Sequence, residues 1–195
     1  MLAKELHEKM VVEAREYKFP EGLYKLLEEG NAKKITEYYF EIFKTHWQKN
    51  NYSYEYLACM VRHLNPKYVV EIGGDRGVGS LALSAEVNGK IYSVDIRDGW
   101  EYVPKNNKKI VKLLGNSIEV EFPIDLSKVG LWYIDGDHGA EHVFKEVKRF
   151  QQYWKDTVIM FDDVFYYKEV WDQFKCDKYY TRNDFRGNGW GICVI

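Results

Sequence analysis

The chain has 195 residues, 46% apolar and 30% charged, a balance that suits one globular domain with a substantial core. Twenty-eight Lys and Arg against 30 Asp and Glu leave a formal charge of −2, which gives no electrostatic case for a nucleic-acid partner. No apolar run reaches the length of a membrane span and the N-terminus lacks a signal-peptide core; three cysteines without metal spacing suit a reducing, cytoplasmic setting better than a disulfide framework.

Residues 1–51 read as a helical N-terminal cap. Leu6, Met10, Val11 and Ala14 follow a helical spacing that Pro20 ends, and Leu23, Leu26 and Leu27 make a second short helix closed by Gly30. Ile35, Tyr38, Tyr39, Ile42, Phe43 and Trp47 form an amphipathic stripe, and Asn51 or Ser53 caps a further helix through Leu64.

From residue 52 onward the pattern is that of an α/β core. Tyr68 to Ile72 is the apolar run of a buried parallel strand; glycines follow at 73, 74, 77 and 79, then Ser80 and a helix-forming run from Leu81 to Val87. Strand, glycine turn and helix in that order open a doubly wound sheet, with a ligand over the carboxyl end of the strand and against helix-start N–H groups. The dinucleotide spacing G-x-G-x-x-G fails in both registers, because Asp75 or Arg76 stands where a glycine is required. What is present is Glu71-x-Gly73-x-x-x-Gly77-x-Gly79.

A second strand, Ile91 to Asp95, ends in an acid about twenty residues beyond the glycine loop, where a carboxylate can accept hydrogen bonds from both ribose hydroxyls. Arg97 to Lys109 reads as loop with a poor helix, and Ile110 to Leu114 is a third strand closed by Gly115, Asn116 and Ser117. The fourth strand, Leu131 to Ile134, runs into Asp135-Gly136-Asp137-His138, and a helix from Ala140 to Trp154 buries Val143, Val147 and Phe150. The fifth, Thr157 to Phe161, runs into Asp162-Asp163. Carboxylates at the edges of adjacent strands repel unless a cation sits among them, and oxygen-only ligation suits Mg²⁺, Mn²⁺ or Ca²⁺ better than zinc. His138 to His142 also fits the H-x-x-E-H pattern of inverted zinc proteases, but Gly139 places His138 ahead of the helix, off the face that His142 would share. A helix over Lys168 to Phe174 and a hairpin of Lys178 to Thr181 with Gly191 to Ile195, turning at 183 to 189, end the sequence.

Residues 52–195 resemble the class I S-adenosyl-L-methionine methyltransferases. The Asp135-Gly136-Asp137-His138 and Phe161-Asp162-Asp163 pair resembles the metal-dependent O-methyltransferase branch. Nearest in pattern are the macrocin O-methyltransferases and the cephalosporin hydroxylase-like chains. The resemblance implies a Rossmann-like fold with a mostly parallel seven-stranded sheet and an antiparallel C-terminal hairpin. It implies cofactor binding by Glu71, Gly73, Gly77, Gly79, Ser80, Asp95, Asn116, Ser117 and Asp135, and Mg²⁺ or another divalent cation on Asp135, Asp162 and Asp163. The general base it implies is His138, with Asp137 as competitor; a histidine suits the task because its ordinary pKa lies near neutrality. The acceptor that the resemblance implies is a small hydroxylated molecule, a sugar or a phenol; Trp100, Tyr102, Phe165, Tyr166, Tyr167 and Trp190 are candidates to line its pocket, though most are expected to serve packing. Metal-independent methylation of nitrogen or of a larger partner, non-catalytic cofactor binding and a nicotinamide dehydrogenase stay open, as does the choice between monomer and homo-oligomer.

Overall fold

A computed structural model describes residues 1–23, 25, 53–181 and 189–195. The stripe from Ile35 to Trp47, most of the short helix from Leu23 to Leu27 and the hairpin turn lie outside the described residues. Seven strands form one sheet: β1 (Tyr68–Ile72), β2 (Lys90–Asp95), β3 (Ile110–Leu114), β4 (Val129–Ile134), β5 (Val158–Phe161), β6 (Asp177–Thr181) and β7 (Trp190–Val194). Their order is β3-β2-β1-β4-β5-β7-β6, with β1 to β5 parallel and β7 antiparallel to both its neighbours. The order reverses between β1 and β4, so the crevice for a ligand opens at the carboxyl ends of these two strands and β2. This is a Rossmann-like fold with an antiparallel C-terminal pair.

Side-chain alternation along the strands builds two cores. Val69, Ile91, Leu131 and Met160 face α1 (Ala3–Glu16), α2 (Ser53–Leu64) and α3 (Val78–Glu86), meeting Leu6, Met10, Leu57, Met60 and Leu81. Val70, Ile72, Trp132 and Ile159 face α4 (Ala140–Phe150) and α5 (Lys168–Gln173), meeting Val143, Phe150 and Trp171. Burial on both faces is why the strands read as continuous apolar runs. The Trp132 and Phe150 rings pack with centroids 4.9 Å apart, fixing α4 across β4. Each such aromatic buries enough apolar surface to contribute roughly 2–3 kcal/mol.

Three expectations shift. Helix α4 ends at Phe150, and Gln151–Tyr153 continues it as a 3₁₀ turn. The segment from Arg97 to Lys109 holds no helix; it folds back on the glycine turn, with the Trp100 N–H on the Asp75 carbonyl at 2.7 Å and the Tyr102 N–H on Arg76 at 3.1 Å. The described part of the N-terminal cap, α1, packs on α2, β6 and β7, and none of its residues lines the cavity described below.

The cysteines depart from expectation. Cys176 and Cys193 form a disulfide that ties the approach to β6 onto β7, with Cα atoms 6.0 Å apart, and Cys59 stays free and fully buried. The cysteine argument for a reducing compartment therefore lapses. Burial pushes the Cys59 thiol up to about 11, so it is unreactive at neutral pH. Alkylation of unreduced protein should label no cysteine when folded, one in denaturant, and three after reduction in denaturant. Labelling at Cys176 or Cys193 without reductant would contradict the pairing.

Candidate cofactor and transfer site

Above the carboxyl ends of β1, β2, β3 and β4 lies a cavity of about 750 Å³, within the range of small-molecule sites. Its floor is the glycine turn. Gly73 has φ +92° and its N–H donates to the Val94 carbonyl, so β1 and β2 are laced together where the strand ends. A Cβ at Gly79 would lie 2.5 Å from Glu71 Oε1, and only glycine lets α3 start so close to that carboxylate. Gly77, at φ +86°, caps α3 and does not line the cavity.

Glu71 is 1% exposed and lines the cavity. Its Oε2 accepts from the hydroxyls of Ser80 and Ser93, the latter at 2.5 Å, and the Trp100 indole N–H donates to Ser93 at 2.8 Å. Ser80 is itself fully buried, so it acts on the cavity through Glu71. Asp95 closes the β2 end. Its Oδ2 accepts the Asp75 N–H and its Oδ1 the Arg97 N–H, each at 2.8 Å, which fixes the carboxylate and leaves each oxygen further acceptor capacity. Next to it Ile96 lines the cavity while 70% exposed, an apolar face with no protein cover.

At the β3 end Gly115, Asn116 and Ser117 line the cavity. The Asn116 side-chain oxygen accepts the Ile118 N–H at 3.0 Å, an Asx turn that sets the loop. Ser117 donates to Glu146 of α4 and lies 3.2 Å from His142 Nε2. Glu146 and His142 line the cavity too, and the residue-by-residue reading of the sequence assigned neither a role. A signal for Glu146 existed: it shares the α4 stripe of Val143, Val147 and Phe150, where an acid at a core position calls for a reason.

The β4 and β5 loops bring the remaining candidates together unevenly. Asp135, Asp137 and His138 line the cavity; Asp162 and Asp163 do not. Asp135 Oδ2 accepts the Tyr133 hydroxyl at 2.8 Å, and Asp137 Oδ1 accepts the Gly139 N–H at 2.7 Å. Asp162 is fully buried, its Oδ1 accepts the Asp163 N–H at 3.0 Å, and its carbonyl takes the Tyr167 hydroxyl. Burial, and next the Asp162 carboxylate, hold that phenol well above its ordinary range, so it stays a donor. Asp163 Oδ2 lies 3.5 Å from His138 Nε2. Among the described residues no three His, Cys, Asp or Glu side chains are grouped to hold a metal ion, and Asp135, Asp162 and Asp163 therefore do not fit one as arranged. The H-x-x-E-H residues do not gather either: His138 precedes α4, and Glu141 turns outward to Lys145 at 2.6 Å. Of the aromatic candidates, Trp100, Tyr167 and Trp190 are buried in packing, while Phe165 and Tyr166 are exposed, Tyr166 with its ring centroid 6.2 Å from that of His138.

Residues 70–164 match the family model described as a methyltransferase domain. That span holds every cavity-lining residue except Tyr54. The solved structures it resembles agree in fold. A Podospora anserina methyltransferase bound to S-adenosylhomocysteine is 14% identical, covers 92% of this chain and 90% of its own, and superposes with a TM-score of 0.63. An O-methyltransferase from Bacillus cereus, also with S-adenosylhomocysteine, is 13% identical over 91% and 92% with a TM-score of 0.62. The O-methyltransferase TomG from Streptomyces achromogenes, with S-adenosylmethionine, is 11% identical over 91% of each chain, again at 0.62. A comparison with curated proteins found no match. No described helix is long and apolar enough to cross a membrane.

Proposed function

We propose that the protein is an S-adenosylmethionine-dependent O-methyltransferase acting on a small hydroxylated acceptor. The observation that carries this reading is Asp95: a carboxylate fixed by two backbone N–H groups at the β2 edge, one of them from the glycine turn, with acceptor capacity left on both oxygens. That is what a ribose diol requires. The cradle over Gly73 and Gly79 and the buried Glu71 carboxylate fit the cationic amino-acid end of the same cofactor. When bound, the cofactor supplies a methyl group already activated on a sulfonium.

The chain's own task is then alignment and removal of one proton. Asp95 holds the ribose, Glu71 the amino group, and Ile96 offers the base an apolar face. His138 stands at the cavity rim, oriented by Asp163, and takes the acceptor's hydroxyl proton; Asp137 spends one oxygen on the helix entry at Gly139. Tyr166, exposed and with its ring centroid 6.2 Å from that of His138, is placed to meet an acceptor ring beside the base. Metal assistance is implied by the resemblance alone. Turnover insensitive to EDTA would assign the deprotonation to protein groups, whereas loss restored by Mg²⁺ would require Asp135, Asp162 and Asp163 to regroup on binding.

The test is calorimetric titration with S-adenosylhomocysteine. Binding is expected in the wild type, and Asp95→Ala should weaken it about 10²-fold or more, because each hydrogen bond to a charged group is worth about 1.5–3 kcal/mol. Binding of NADH in place of S-adenosylhomocysteine would sink the reading.

A further inference from the structure

The β3 side of the cavity contains a buried acid that the methyl-transfer scheme leaves without a task. Glu146 is 1% exposed on the packed stripe of α4. Its Oε1 accepts the Ser117 hydroxyl and lies 3.2 Å from His142 Nε2, while Oε2 has no hydrogen-bond partner among the described residues. A carboxyl oxygen left unpaired in the interior costs stability, and an apolar residue at this position would simply extend the stripe. Burial raises the Glu146 carboxyl above its ordinary range, against the smaller opposing pulls of Ser117 and then His142.

The cluster also has a defined hydrogen-bond polarity at its serine. Ser117 spends its only hydrogen on Glu146, and His142 Nε2 lies 3.2 Å from both the Ser117 hydroxyl oxygen and Glu146 Oε1. The Ser117 oxygen is thereby left as an acceptor on the cavity wall. With the ribose at Asp95 and the amino-acid end over the glycine turn, the base falls toward β3, between Ile96 and the Gly115–Ser117 turn. We propose that Glu146 is a positioning residue for base recognition: by holding the Ser117 proton it makes this wall select a base edge bearing an amino group over one bearing a carbonyl.

This inference rests on the cofactor reading above and adds a residue to it. It differs from a merely structural tie between α4 and the β3 turn, because that tie exists separately. The Arg149 guanidinium donates to the carbonyls of Ser117 and Val120 and holds the same turn through its backbone.

The experiment compares calorimetric binding of S-adenosylhomocysteine with that of S-inosylhomocysteine, in which a carbonyl replaces the amino group. The wild type should prefer the adenosyl ligand by about 10²-fold or more, since a site built to accept a hydrogen leaves that acceptor unpaired against a carbonyl. Glu146→Gln keeps the shape but places a donor beside Ser117, and should reduce the preference at least about tenfold. Ser117→Ala should do the same. Arg149→Gln loosens the turn through its backbone, so it should weaken both ligands alike and leave their ratio in place. An unchanged ratio in Glu146→Gln, with the adenosyl ligand still bound, overturns the inference and leaves the methyltransferase reading standing. Should Glu146→Gln fail to fold, an unchanged ratio in Ser117→Ala overturns it equally. A wild type that binds neither ligand takes both readings down.

Discussion

Replacing Gly73 by alanine is expected to abolish S-adenosylhomocysteine binding and to lower stability by about 2–4 kcal/mol. The added Cβ would lie 2.0 Å from the Asp135 carbonyl oxygen, 2.5 Å from its carbon and 2.8 Å from Gly136 Cα. All three obstructing atoms are backbone, so no side chain can rotate away, and φ of +92° is unfavourable for any residue with a Cβ. Relief requires β1 and β4 to part at their carboxyl ends. There the Asp135 N–H is bonded to the Ile72 carbonyl at 2.8 Å, and the loop carrying Asp137 and His138 begins. The substitution should therefore damage fold and site together. Gly22→Ala is the control: a Cβ there meets nothing within 4 Å, and its unfolding curve should match the wild type. Denaturant unfolding beside the ligand titration measures both effects. A Gly73→Ala protein of wild-type stability that binds the ligand within threefold would refute the steric account.

The same clash shows what kind of information a sequence carries. Strands β1, β2, β4 and β5 are legible because burial on both faces demands apolar runs, and the glycine turn is legible because backbone approach demands glycine. Asp95 follows from its place at a strand end. What stays hidden is which polar side chains meet once the elements assemble. Glu71 meets Ser80 and Ser93 across separations of 9 and 22 residues, and Ser117 meets Glu146 across 29. No local pattern joins such pairs. Trp100 looks like a loop residue and is buried against Ser93, because the loop after β2 folds back onto the glycine turn. Cys176, just ahead of β6, reaches Cys193 because β6 lies antiparallel beside β7, a long-range fact; three cysteines allow three pairings and do not choose one. The carboxylates after β4 and β5 show the same limit. Adjacent strand ends bring the acids to one edge, but the contacts they make there, Tyr133 on Asp135, the Asp163 N–H on Asp162 and His138 on Asp163, follow from no local pattern.

The last of those contacts sets the second large effect. His138→Ala is expected to lower kcat by about 10²–10⁴-fold, the usual share of a general base, while S-adenosylhomocysteine affinity stays within about twofold. The split follows from position. His138 lines the cavity yet holds none of the groups assigned to the cofactor, and its Nε2 faces Asp163 Oδ2 at 3.5 Å. A carboxylate beside an imidazole orients the ring and stabilises the cation formed when it takes a proton. Asp163→Asn keeps the hydrogen-bonding shape and loses that charge, so it should cost kcat less than His138→Ala does, with KM unaltered. Asp137→Asn separates the competing base: its Oδ1 is engaged by the Gly139 N–H, and the amide oxygen can keep that bond, so kcat should change little. A collapse of kcat in Asp137→Asn with near-normal turnover in His138→Ala would move the proton transfer to Asp137. Equal and small losses in both would move it off the protein, to solvent or to a cation that regroups the three aspartates.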